Sequence, residues 1–126
     1  MIFSITKTVP EFASVEATGS GAAKLQKDSM GFYKIQNTNM FNGFPVWKLD
    51  GGLSHITSLN SITSYLYRGN EGWHISEKLK IDWARIRAVT NNRSPFAKEL
   101  VWQYYDGNGL VEDETLKVSS MGKSYS

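Results

Sequence analysis

Cysteine is absent from the 126 residues. That excludes disulfides, thiolate zinc sites, Fe–S clusters and a cysteine nucleophile, and it leaves the redox compartment open. Histidine occurs twice, as His55 and His74, far apart and with no carboxylate at ligand spacing. Neither a metal site nor a cofactor is therefore predicted. No apolar run reaches the roughly 18 residues that a membrane-spanning helix needs, so no span is predicted. Fourteen basic and 12 acidic residues give a net charge of +2, too weak a balance to predict a nucleic-acid partner. Residues 1–10 lack the basic start and apolar run of a signal peptide. The compartment is left unassigned.

Catalytic constellations are also missing. There is no Gly-x-Ser-x-Gly elbow to hold a strained nucleophile. Paired carboxylates for glycoside chemistry must flank one bond. Glu112, Asp113 and Glu114 are consecutive and read as a solvated acidic turn. Gly122-Lys123-Ser124 resembles the end of a phosphate loop, but Lys117 stands where the earlier glycine belongs. Thr18-Gly19-Ser20-Gly21 lacks the third glycine of a dinucleotide fingerprint and reads as linker. Asn92-Arg93-Ser94 is a glycosylation sequon spoiled by Pro95. His74 alternates with Trp73 and Ile75 and is expected to be a solvated strand histidine. No enzymatic activity is predicted.

Aromatic side chains, by contrast, make up 13% of the chain. Most of them fall between Phe32 and Tyr105, so the packed domain is expected there. Short β-branched and aromatic runs alternate with Gly, Asn and Asp turns, an antiparallel β signature. Strands are predicted over residues 31–37, 44–49, 62–68, 73–76, 100–105 and 110–112, with a final short strand over 115–118. Residues 53–61 read as a polar loop. Asn42-Gly43 and Asp106-Gly107-Asn108-Gly109 are strong hairpin signals. Pro45 has no ladder donor and belongs at a strand start or an edge. Residues 77–89 fit a helical stripe or a strand; a loop to Asp82 followed by a strand over 83–89 is preferred. The expected fold is all-β: a single antiparallel sheet or small open barrel of about six to seven short strands. It comprises an N-terminal arm (1–29), a β domain (30–118) and a C-terminal tail (119–126). Trp47, Trp73, Trp83 and Trp102 are expected to supply most of the core, since each buried aromatic removes on the order of 150–250 Å² from water.

One ordered series of motifs carries a resemblance. It runs Gly31-Phe32-Tyr33, Asn42-Gly43-Phe44-Pro45-Val46-Trp47-Lys48, Tyr65-Leu66-Tyr67, Gly72-Trp73-His74-Ile75, Pro95, and Trp102 through Asp106-Gly107. The series resembles a small aromatic-rich β module of marine invertebrate and algal proteins, often present in several copies. The resemblance spans about residues 31–118. Leu110 departs from it, standing where the module has tryptophan. The resemblance implies a compact β unit embedded in larger proteins and carries no activity. By analogy it implies an accessory subunit of an algal photosynthetic or other organellar complex, peripheral to the membrane.

Charge is segregated along the chain. Residues 77–98 sum to +4 and residues 99–118 to −4. Adjacent strands can neutralise each other across a sheet, or the two segments can form complementary docking patches. Arg85, Arg87, Glu112, Asp113 and Glu114 are the candidate docking charges. The leading expectation is a non-catalytic structural or interaction subunit that binds other protein subunits through its arms and charged faces. The alternative is a carbohydrate-type ligand-binding module whose aromatic platform is Tyr65, Tyr67, Trp73 and Tyr104.

Overall fold

A computed structural model describes residues 9–52 and 63–121. The first eight residues, the segment 53–62 with His55, and residues 122–126 with the Gly122-Lys123-Ser124 motif lie outside the described residues. The fold is all-β. Among the described residues nine strands form one antiparallel sheet, curved into an open half-barrel. In chain order they are β1 (Phe12–Glu16), β2 (Gly31–Phe41), β3 (Phe44–Gly52), β4 (Tyr65–Arg68), β5 (Gly72–Ser76), β6 (Ile86–Val89), β7 (Gln103–Tyr105), β8 (Leu110–Glu112) and β9 (Lys117–Met121). Each strand from β1 to β7 pairs with the next, and β9 returns to pair with β1. One helical turn, α1 (Ala22–Leu25), and a 3-10 turn (Lys27–Ser29) bridge β1 and β2. No helix among the described residues is long and apolar enough to cross a membrane.

The strand count corrects the sequence reading of six or seven. The unforeseen strand is β1, in the segment expected to be an arm; β9 continues the short strand expected over 115–118 into the expected tail. Phe-Ala-Ser-Val-Glu alternates in period 2, and its small inward residues Ala13 and Val15 are fully buried. Small side chains give a weak strand signal, yet they let the 22–30 segment close over the same face, where Ala22 and Met30 are also buried. Residues 12–29 are thus part of the sheet and core. The segment 77–89 resolves into a loop to Arg85 and a strand from Ile86, close to the preferred reading.

Register explains the core. Ile35, Trp47, Leu66, Ile75, Ile86 and Tyr104 stand opposite one another on six successive strands and share one face. Trp47 and Trp73 meet edge to face with centroids 6.2 Å apart, and Phe96 closes on Trp47 at 5.4 Å. Two of the buried indoles have a partner for the N–H: Trp47 donates to the Pro10 carbonyl at 3.0 Å and Trp73 to the Asn92 carbonyl at 3.1 Å. Tyr33, fully buried, donates to the Ser29 carbonyl and lies 2.9 Å from the Ser64 hydroxyl. Burial pushes its phenol pKa up.

The turns behave as their sequences predict. Asn42 and Gly43 both have positive φ, 55° and 82°, the requirement of a two-residue hairpin turn. Pro45 sits near the start of β3, ahead of the residues that pair with β4. In the second hairpin the Asp106 carboxylate accepts the Asn108 and Gly109 amides at 2.8 and 3.0 Å. Those bonds hold its pKa below the usual range.

Candidate functional site

The second face of the sheet carries Tyr67, His74, Arg87, Gln103 and Glu112 as one cross-strand row. Residues 77–85 cross this face and cover part of it. The crossing is why His74, expected to be solvated, is only 4% exposed. Its alternation away from Trp73 and Ile75 holds, but the loop supplies a roof. The ring packs edge to face on Tyr67 at 5.4 Å and against Gly69, where a Cβ would lie 2.2 Å from the imidazole. Only glycine fits there.

Two buried side chains grip the loop at one residue. The Tyr67 hydroxyl donates to the Lys80 carbonyl at 2.8 Å and accepts the Lys80 amide at 3.0 Å. The His74 Nδ1 lies 3.1 Å from the same carbonyl. A carbonyl can only accept, so Nδ1 carries the proton. Burial lowers the His74 pKa and keeps the ring neutral, with nearby Arg87 and Arg68 acting in the same direction. Burial also pushes the Tyr67 phenol up to about 12. The Asn70 amide donates to the Ile81 carbonyl at 2.8 Å, fixing the loop at its far turn.

Held in this way, the loop presents apolar side chains to solvent. Leu79, Ile81 and Trp83 are all exposed, Trp83 at 39%. This corrects the expectation that Trp83 joins the core: it precedes β6 on the parity of outward Arg85 and Arg87, while Ala84 and Ile86 take the buried side. Its ring meets Tyr105 edge to face at 5.9 Å, and the Arg85 guanidinium stands 5.8 Å from its centroid. Arg85 is fixed in turn by a two-pronged bond to Glu77, Nε to Oε1 at 2.6 Å and a terminal nitrogen to Oε2 at 2.9 Å. Arg85 holds the Glu77 pKa down to about 2. Beyond the pair opens a cleft of about 420 Å³, lined by Lys24, Lys27, Asp28 and Ser64 among others. Trp83, Arg85 and Tyr105 form the candidate site.

The docking charges named from sequence separate here. Arg85 belongs to the site. Arg87 donates to Gln103 at 3.0 Å, and Gln103 pairs in register with Glu112, so Arg87 and Glu112 share the same outer face two strands apart. Glu114 is exposed in a turn. Asp113 has partners within the fold. Its carboxylate accepts the amides of Ala22 and Thr115 and the Thr115 hydroxyl, and these bonds lower its pKa. It ties α1 to the β8–β9 turn. The one ion pair among the described residues joins Arg85 to Glu77 within the basic segment.

The aromatic platform named from sequence does not assemble. Tyr65 and Tyr67 point to the outer face, and Trp73 and Tyr104 to the core face. Tyr67 and Trp73 are fully buried. Tyr104 packs against the core, and its hydroxyl fills the space a Cβ would take at Gly21. Tyr65 is half-buried, with the Lys48 ammonium 6.0 Å from its ring. Sequence reasoning missed Tyr105. The signal was present: Tyr105 shares parity with polar Gln103, opposite Trp102 and Tyr104, which places it outside. Comparison with protein-family models, curated proteins and solved structures finds no match to this chain.

Proposed function

We propose that this chain is a non-catalytic interaction domain that docks on another protein through Trp83, Arg85 and Tyr105. One observation carries the reading: an exposed tryptophan stands between an arginine and a tyrosine on a loop whose backbone is pinned from below. Tryptophan, tyrosine and arginine are the residue types that dominate binding hot spots. Pinning removes the ordering cost that a mobile loop would incur on association. Exposed Ile81 and Leu79 extend the apolar part of the surface, and Arg87 and Glu112 lie on the same outer face as a polar rim. The docking route thus runs through this loop face, in place of the N-terminal arm expected from sequence.

The test is Trp83→Ala in the full chain. A protein that co-purifies stoichiometrically with the wild type is isolated, and its affinity for both forms is measured by calorimetry. A hot-spot tryptophan predicts a loss of about 2 kcal/mol or more, roughly thirtyfold in Kd, with an unchanged melting curve. Equal affinity of the two forms contradicts the reading. So does a native mass equal to the lone chain in extracts of its source.

A further inference from the structure

A second surface lies at the opposite end of the strands from Arg85. Arg68 closes β4 there, paired with Trp73, and Phe44 opens β3 beside the Asn42-Gly43 turn. The Arg68 guanidinium stands 5.5 Å from the Phe44 ring centroid and 5.8 Å from that of Trp73. The Arg93 guanidinium stands 5.1 Å from the same Phe44 ring. Two like charges therefore share one aromatic ring.

Their proton donors are largely unspent. Arg68 donates to the carbonyls of Asn92 at 3.0 Å and Thr90 at 2.9 Å, and these bonds fix its plane. Its remaining donors, and all those of exposed Arg93, have no acceptor among the described residues. No carboxylate among them pairs with either guanidinium. The nearby Glu99 carboxylate accepts the Asn92 side-chain amide at 3.0 Å. Two arginines against one ring repel each other, and no carboxylate among the described residues neutralises either. Burial lowers the Arg68 pKa, and Arg93 adds to the effect.

We propose that Arg68 and Arg93, stacked on Phe44, bind a phosphate monoester carried on a peptide side chain. A monoester brings a charge of about −1.5 to −2 and three acceptor oxygens, which suits two guanidinium forks, whereas one carboxylate neutralises only one of them. The site is open surface with one arginine pre-set by backbone carbonyls. It therefore fits a group presented on a partner's chain better than a small molecule that must be enclosed.

The probe is a blocked phosphoserine tripeptide, titrated into the full chain and followed by the Nε–H NMR signals of Arg68 and Arg93. Saturable shifts of both signals are expected, with a Kd on the order of 1 mM, as for a single isolated group. Arg93→Gln is expected to weaken binding at least tenfold, and Arg93→Lys, which cannot offer a planar fork, several-fold. Arg85→Gln should leave it unchanged. The same chain is titrated with the unphosphorylated peptide, with acetate at matched ionic strength, and with vesicles containing phosphatidic acid. Shifts that stay linear in concentration, that acetate reproduces, or that survive Arg93→Gln overturn the proposal. Binding to the vesicles without binding to the tripeptide overturns it as well.

Discussion

At the residue scale, the Glu77–Arg85 pair shows how a charge becomes part of a surface. Arg85 lies over Trp83 because Glu77 holds it there, bidentate, on a short loop. The Glu77 pKa falls from 4.5 to about 2 on folding. A carboxylate depressed in the folded state contributes stability above its unfolded pKa, and that contribution is lost as pH falls toward the folded one. The window is therefore pH 4.5 down to 2. The two side chains are each 41% exposed, so solvent screening keeps the effect to about 0.5–1 kcal/mol. Urea denaturation across that window should show wild-type stability converging on that of Glu77→Gln as pH falls; parallel curves would rule the pair out as a contributor. Arg85 was legible in the sequence as a charge of interest. Its partner was not, because the choice between Glu77 and the acidic segment depends on how the loop folds back. Trp83 was legible as aromatic, and its exposure follows from a parity shared with Arg85 and Arg87, opposite buried Ala84 and Ile86.

At the element scale, the loop over residues 77–85 turns an ordinary outer sheet face into two layers. Its grip is the Tyr67 hydroxyl, which both donates to and accepts from Lys80. Tyr67→Phe keeps the ring and removes both bonds, at a cost of about 1–2 kcal/mol. Hydrogen exchange should then quicken at the amides of residues 78–82, while β2 to β5 stay protected. Unchanged exchange in the loop would mean that packing alone holds it. The strands and hairpins were readable because turn dipeptides and period-2 alternation are local signals: Asn42-Gly43 and Asp106-Gly107-Asn108-Gly109 close the hairpins they predict. The roof over His74 was not readable, because alternation assigns a face and says nothing about what later covers it. The same limit undid the four-residue platform, whose members were chosen as aromatics without their parity.

At the scale of the whole molecule, the sheet is a meander closed at one edge by both ends of the described chain. β1 lies between β2 and β9, and Ala13, Val15, Ala22 and Val118 seal that side of the core. An arm would be dispensable, but an interior strand is not. A variant lacking residues 1–17 exposes the β2 edge and leaves β9 without a neighbour, so it should lose its cooperative thermal transition by near-UV circular dichroism. A sharp transition retained in that variant would show that the sheet tolerates the loss. Long-range pairing explains why sequence missed this: nothing local to Phe12–Glu16 tells of a partner about a hundred residues away. On the proposed function, the pinned loop face, and not the ends of the chain, meets the partner. Hydrogen–deuterium exchange of the isolated chain against the chain in its native complex tests it most directly. Added protection over residues 79–85 and 103–105 is expected; protection confined to residues 9–29 and 117–121 would contradict that docking face.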